Sequence, residues 1–313
     1  MRFAPTDEQL ELGRTAQRLL AAHARDSVLP PPWDAIPHTL SRELQAALAE
    51  LGLLGLGVPE RRGGSGGGIA DLCVVAEQVG WALPALPFTA TAVVVAVLVE
   101  HPESPGIRSV LTGVVDSSAI AVPAWEMFPA DMVPGRGAGW LSLTGMTVDG
   151  VLAAVPFGFD ADLLLAFADD ASARPRPVLV ELAEPTTERT PLDSLDVTEP
   201  MASLRLTAAR ALPLGPLGAH TIARMLTVLA AELIGIGRRS LEGGVEYAGQ
   251  RRQFGRPIGS FQAIKHVLAD RSSSSMPPGC SSRRRPTPST PRTRTPTWRH
   301  VRRSRRRPTR SRR

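Results

Sequence analysis

The sequence predicts a mainly α-helical protein with a central β domain, and three observations carry that prediction. Apolar residues recur at helical spacing through most of the first hundred residues. Between about residues 118 and 210, short apolar runs alternate with Pro, Gly and Asp, the texture of strands joined by turns. From residue 217 to 249 the helical period returns, and a basic corner follows it. The expected divisions are a helical N-terminal domain at 1–117, a β domain at 118–212, a helical segment at 213–270 and a basic tail at 271–313.

The first helix is expected over residues 6–25, opened by Thr6, Asp7 and Glu8, with Leu10, Leu12, Ala16, Leu19 and Leu20 at roughly helical spacing. Pro30, Pro31 and Pro32 then break the chain. A second helix is expected over 41–51, with Leu44, Ala47, Leu48 and Leu51 on its apolar side. The glycine run at 63–68 lacks the Gly-Lys-Ser/Thr ending of a phosphate-cradling loop and reads as a flexible turn between helices. Further helices are expected at 71–81 and 84–100. Strands are expected at 119–122, 140–143, 151–155, 163–167 and 178–182. In the next helix Ile222, Met225, Leu226, Leu229, Leu233 and Ile236 make a broad apolar face, and Gly235 and Gly237 are small enough for close packing.

Residues 247–270 then spell a bend. A helix running to about Arg252 meets Gly255, suited to a left-handed cap, and Pro257, which cannot continue a helix. Ser260 is a good N-cap for a second helix carrying Phe261, Ile264, His266 and Leu268. Arg251, Arg252 and Arg256 therefore crowd one corner beside Phe254. Forked guanidinium groups suit phosphate oxygens, and a helix start adds anion-friendly amides. The plainer alternative is a solvated arginine-rich turn with Phe254 as its hydrophobic plug.

Length, charge and cysteine use narrow the function classes. A chain of 313 residues can bury a large core or form two or three domains. The net charge of +6 is misleading, because residues 271–313 hold 15 of the 36 basic residues and none of the 30 acidic ones. The body is acidic and only the tail is basic. That tail cannot bury a core and is expected to be disordered. Unpaired arginines attract polyanions, but with Trp298 as thin aromatic interleaving no specific nucleic-acid binding is expected. Cys73 and Cys280 are the only cysteines, too few for a disulfide framework or a metal cluster, and Cys73 reads as a small core residue. Without a secretory signal at the start, and with the apolar stretch around 93–99 too short and interrupted to span a bilayer, no membrane span and a cytoplasmic location are expected.

Three phrases resemble one family. RRQFGRPIGSFQAIKHVLAD at 251–270 is similar to the signature of the acyl-CoA dehydrogenases, flavoenzymes that desaturate acyl-CoA thioesters. LGLLGLGVPERRGGSGGG at 51–68 resembles the family's N-terminal phrase, and the two lie in the expected order. LTGMTVDGVLAAVPFGFDADLLLAFA at 143–168 resembles the strand–turn–strand leading to an Ala-Asp pair, here Ala161 and Asp162. The resemblance implies a β-barrel-like middle domain between helical domains and an incomplete C-terminal helical bundle. It implies FAD as cofactor, contacted by Arg251, Gln253 and Phe254 with Gln262 from the next helix, reaching the flavin of a neighbouring subunit. The implied partners are an acyl-CoA substrate, an electron-transfer flavoprotein as acceptor, and either a homo-oligomer or a hetero-oligomer with a catalytic acyl-CoA dehydrogenase. The implied setting is lipid oxidation.

The chain also departs from the family. Where catalytic members carry a Thr-Glu-x-x-x-Gly-Ser-Asp-like phrase, residues 119–131 keep only Glu126 and Asp131 as acids. Positions that in relatives contact the thioester, or in a minority supply the catalytic glutamate, fall on Ala223, Met225 and Leu226, with Arg224 adjacent. None of the three can remove a proton. Glu232, Glu242 and Glu246 read as solvated helix charges, so no catalytic residue is assigned. After Asp270 the family's long helix gives way to an Arg/Pro/Ser/Thr series, the product expected of a shifted reading frame near codon 271 in a GC-rich gene. Two functional expectations result: a desaturase impaired as written, or a non-catalytic subunit that completes the FAD site of a catalytic partner.

Overall fold

The computed structural model describes residues 5–23, 40–125, 141–169, 176–196 and 198–274. Glu126, Asp131, Cys280 and residues 275–313, with the expectations placed on them, lie outside the described residues.

The N-terminal helices form where the apolar spacing places them. They are α1 (Asp7–His23), α2 (Arg42–Glu50), α3 (Ile69–Ala82) and α4 (Phe88–Leu98). Ser41 opens α2 by accepting the Leu44 amide at 3.4 Å. Every residue of α4 is buried, which matches a helix that is apolar on all sides. A fifth helix, α5 (Pro105–Val115), was not among the expected elements. Its signals are nonetheless local: Ser104 accepts the Ile107 amide at 3.3 Å, and Pro105 occupies the first turn, where a missing N–H costs nothing.

The glycine run is a packed loop rather than a flexible turn. The amides of Ser65 and Gly66 donate to the carbonyls of Gly55 and Val58, each at 3.0 Å. A Cβ at Gly64 would overlap the Val58 carbonyl, so only glycine fits there. Arg62 of the same phrase donates to the carbonyls of Leu98 at 3.2 Å and His101 at 2.8 Å, closing the C-terminal end of α4.

The middle domain holds seven strands: β1 (Ala121–Pro123), β2 (Leu141–Thr144), β3 (Thr147–Pro156), β4 (Leu163–Asp169), β5 (Arg176–Glu181), β6 (Thr187–Leu192) and β7 (Met201–Pro213). Pairings β4–β2–β3–β7–β5 return to β4 and close a barrel, with β1 beside β4 and β6 beside β7. Six of the seven β4 residues are buried, so its apolar run is continuous instead of alternating. The Thr91 hydroxyl donates to the Ala121 carbonyl at 2.9 Å and ties α4 to the first strand. Strands β6 and β7 escaped the sequence reading. The first is polar, with one buried residue in six, and the second mixes its buried Ala202, Leu204, Leu206, Ala209 and Ala211 with Ser, Thr and Arg, so no continuous apolar run marks it.

The chain then enters α6 (Ala219–Gln250), which lies along α3 and α4. Thr221, Met225, Val228, Ala231 and Gly235 form its buried stripe, whereas Leu226, Leu233, Val245 and Tyr247 are exposed. By length and composition alone α6 could cross a bilayer. Gly235 does serve close packing, but a side chain at Gly237 would meet open space. The last helix, α7 (Gln262–Ser274), runs four residues past Asp270, so the helical segment does not stop at the expected boundary.

Candidate functional site

The elbow after α6 is tighter than the sequence suggested. The helix ends at Gln250, and Arg251 is extended. Arg252 and Gln253 form β8, which pairs with β9 (Arg256–Pro257). Phe254 and Gly255, at φ 52° and 77°, make the two-residue hairpin turn between them. Gly255 therefore serves a hairpin and not a helix cap. Ser260 lies in a 3-10 turn (Ile258–Ser260), and the first α7 bond runs from the Lys265 amide to the Phe261 carbonyl.

Phe254 is no plug. It is 90% exposed, in a left-handed conformation that a bulky residue rarely adopts, and it meets Phe261 edge-on with ring centres 6.1 Å apart. The Arg256 guanidinium lies 4.2 Å over the Phe261 ring. Arg251, Arg252 and Arg256 are exposed and form no ion pair among the described residues. Gln253 and Gln262 are exposed too, and the Gln262 amide nitrogen sits 3.4 Å from His266 Nε2. All four residues expected to contact FAD thus occupy one solvent-facing elbow.

A second feature lies elsewhere in the fold. A cavity of about 230 Å³ opens where the end of α3, the start of α4, the middle of α6 and three loops of the β domain meet. Its apolar wall includes Val79, Leu86, Leu229 and Ile236, and Trp125 and Phe157 enter from the β side. Glu232 and Glu199 line it as well. Two lining residues, Leu83 and Phe157, hold positive φ angles of 50° and 53°. Strained backbone of this kind persists only where its surroundings enforce it.

The carboxyl groups there are not solvated helix charges. Burial raises Glu232 to about 7, with a nearby Thr89 hydroxyl pulling down and the Glu199 charge adding to the rise. Glu199 is itself raised by burial and by Asp196. The Thr89 hydroxyl is buried and, although close to Glu232, makes no hydrogen bond of good geometry among the described residues. Glu242 is an exposed helix charge as expected, and it also accepts the Trp81 indole N–H at 2.6 Å. Glu246 meets the expectation, exposed and bonded by Gln250. Met225 is buried, and Leu226 and Ala223 face outward, so none of the three offers a base. Asp162 is structural, its carboxylate accepting the Ile120 amide at 2.8 Å. Cys73 is a half-buried thiol pushed up to about 11, chiefly by burial.

Two family models match this arrangement at both ends: "Acyl-CoA dehydrogenase, N-terminal domain" over residues 6–103 and "Acyl-CoA dehydrogenase, C-terminal domain" over residues 219–272. The acyl-CoA dehydrogenase IpdE2 of Mycobacterium tuberculosis is 30% identical over 269 residues, 86% of this chain and 72% of that protein. The chain belongs to the acyl-CoA dehydrogenase family.

Other relatives in the family agree. FadE34 of Mycobacterium tuberculosis, named an acyl-CoA dehydrogenase, is 35% identical over 228 residues; the match takes in 73% of this chain but 29% of FadE34. Among solved structures, the Tcur3481-Tcur3483 steroid ACAD G363A variant superposes with a TM-score of 0.72 at 31% identity, over 84% of this chain and 73% of that one. The ChsE4-ChsE5 complex from Mycobacterium tuberculosis gives 0.70 at 26% identity, over 88% and 76%. The fold expected from the sequence, helical domains around a β-barrel-like centre, is the observed one.

The elbow was legible before the fold because its chemistry is contiguous in sequence. The cavity was not. Thr89, Trp125, Glu199 and Glu232 come from four separate segments, and nothing local distinguishes Glu232 from any other glutamate on a helix.

Proposed function

We propose that this chain is a subunit of an FAD-dependent acyl-CoA dehydrogenase that desaturates an acyl-CoA thioester between its α and β carbons. The observation that carries the reading is the elbow: Phe254 is 90% exposed at φ 52° between Arg252 and Arg256, with no ion pair among the described residues to occupy those cations. A strained, solvent-facing aromatic flanked by free guanidinium groups is costly in an isolated chain and suits a surface completed by a ligand.

The residues fit FAD. Arg251 and Gln253 would donate to diphosphate oxygens, Phe254 would present an apolar face, and Gln262 would add an amide from α7. Open space around Gly255 leaves room for the ligand's backbone approach. The elbow would do this across a subunit boundary, since its residues stand open to solvent in the single chain. The chemistry supplied by bound FAD is acceptance of a hydride from the β carbon. The cavity between α4 and α6 would take the acyl end and keep water from it.

The α-proton needs a carboxylate held in a dry cleft. Ala223, Met225 and Leu226 cannot serve, and residues 271–313 contain no acid. Glu199 and Glu232 do line the cavity, but no acid stands at the positions that resemble the family's base, so turnover by this chain alone is proposed to be impaired. A second reading is that it is a non-catalytic subunit that completes the FAD site of a catalytic partner. Likeness to the solved ChsE4-ChsE5 complex from Mycobacterium tuberculosis supports that reading. Electron-transfer flavoprotein as acceptor and a cytoplasmic location belong to the same proposal.

The deciding experiment purifies the full chain alone and co-expressed with a catalytic family member, then measures flavin absorbance and acyl-CoA-dependent dye reduction. Flavin retained by the chain alone supports the first reading. Flavin and dye reduction only in the co-expressed complex support the second. No flavin in either preparation overturns both.

A further inference from the structure

One face of α6 is left open to solvent. Ala219, Ala223, Leu226, Ala230, Leu233 and Gly237 follow one another at steps of four and three, the spacing of a helix–helix seam. All six are exposed, Leu226 by 53% and Leu233 by 66%. The seam lies across the helix from the buried stripe of Met225, Val228, Ala231 and Gly235. Ile222 and Ile234 flank it, as do Leu229 and Ile236, which also border the cavity, and no charged residue stands at any of these positions. Helix α7 reaches only the later part of α6: its Leu268 lies beside Gly244, whereas a side chain at Gly237 would meet open space. A contiguous exposed apolar face of this kind marks an interaction surface.

The rest of the sequence holds no cover for it. Residues 24–39 carry Pro30, Pro31, Pro32 and Pro37, residues 126–140 carry Pro129 and Pro134, and residues 275–313 begin with Pro277 and Pro278 close to α7 and continue as the arginine series. None of the three offers a run of apolar residues at helical spacing. The cover therefore comes from another polypeptide.

We propose that this face binds the same face of a second copy of the chain, the two α6 helices lying antiparallel about a two-fold axis near Val228. The order of large and small residues argues for that occupant. In the antiparallel pair Leu226 meets Ala230 of the second copy and Leu233 meets Ala223 of the second copy, so each leucine fills the space a small residue leaves. Ala219 meets Gly237 of the second copy at the ends, and the two-fold repeats every contact. A parallel pair would set leucine against leucine and alanine against alanine. From Ala219 to Gly237 the seam is about 27 Å long at 1.5 Å per residue. That is short for an interface, so the pair forms with an affinity on the order of micromolar. The inference goes beyond the acyl-CoA reading and does not depend on flavin or thioester binding.

Sedimentation of the full chain tests it, at about 50 μM, where an interface of micromolar affinity is filled. The expected result is a dimer that dissociates on dilution. Leu226→Glu and Leu233→Glu should each weaken it at least about a hundredfold, because each puts a charge into an apolar seam twice per dimer. Both leucines are exposed in the single chain, so the urea midpoint of the diluted monomer should not move. Disulfide trapping gives a second reading that needs no charged variant. With Cys73 and Cys280 changed to serine, an equimolar mixture of Leu226→Cys and Ala230→Cys chains should cross-link, whereas either chain alone should not. A monomer at every concentration, a dimer indifferent to both glutamates, or cross-linking of the Leu226→Cys chain with itself overturns the inference. So does a dimer lost with Arg251→Ala instead, which would place the contact at the elbow. Association only with a co-expressed catalytic family member, or only with phosphatidylcholine vesicles, overturns it as well. Flavin content, measured on the same samples, judges the acyl-CoA reading separately.

Discussion

Gly80 of α3 and Gly235 of α6 are reciprocal contacts. A Cβ on Gly80 would overlap the Glu232 carbonyl oxygen, and a Cβ on Gly235 would overlap the Glu77 carbonyl oxygen. Each glycine lets the other helix's backbone approach, and that approach holds Glu232 against the end of α3, where its side chain enters the cavity. Gly235→Ala should therefore destabilise the fold by about 1–3 kcal/mol, as overpacking against rigid backbone does. Gly237→Ala, two residues on and facing open space, should be neutral or stabilise by about 0.5–1 kcal/mol. Urea midpoints of the two variants check the contrast.

Function and stability should separate at the elbow. Phe254→Gly relieves a left-handed backbone and should leave stability unchanged or raise it by about 1 kcal/mol. The same change should lower flavin retention in the co-expressed complex. Arg251→Ala removes an exposed cation with no ion pair, so stability should move by less than about 0.5 kcal/mol. Flavin occupancy should nonetheless fall by about tenfold, as loss of a charge-assisted contact predicts. Paired melting and flavin-content measurements would show a structural role as parallel loss of both.

Glu232 gives stability a pH signature. Its folded value of about 7 stands above the ordinary 4.5, so the folded chain keeps a proton that the unfolded chain has released. The stability linked to this group is full below about 4.5 and is lost as pH rises through about 7. Glu232→Gln cannot ionise. It should match the parent near pH 4 and exceed it at pH 8 by on the order of 2–3 kcal/mol. Denaturant titrations at the two pH values read the difference, and a variant equally offset at both would remove Glu232 as the cause.

Arg62 should matter more than its place in a glycine-rich loop suggests. It bonds the carbonyls of Leu98 and His101 beyond the last turn of α4. Arg62→Ala should cost about 1–3 kcal/mol by leaving those carbonyls without a charged donor. Arg62→Lys, with one compact donor group, should recover part of that. Thermal unfolding of both variants gives the comparison.

Local chemistry was readable where it is continuous along the chain. The periodicity of α1, the Ser41 cap, the apolar strand β4 and the basic elbow each declare themselves within about twenty residues, because helix faces, caps and turns are short-range devices. Strand β6 did not declare itself: it is a polar strand held by its ladder to β7, which is a property of its neighbour. The α5 helix was not among the expected elements, although a capping serine and an early proline mark its start.

The sequence by itself determined the family, the three-domain order and the positions of the four elbow residues. Tertiary structure alone decided that Phe254 is an exposed hairpin tip and that Glu232 is a buried carboxyl beside a buried threonine hydroxyl. The physical reason is the same in both cases. Exposure and proton affinity depend on what packs against a side chain: Phe254 meets only the nearby Phe261 ring among the described residues, whereas Glu232 meets Thr89 from a segment more than a hundred residues distant.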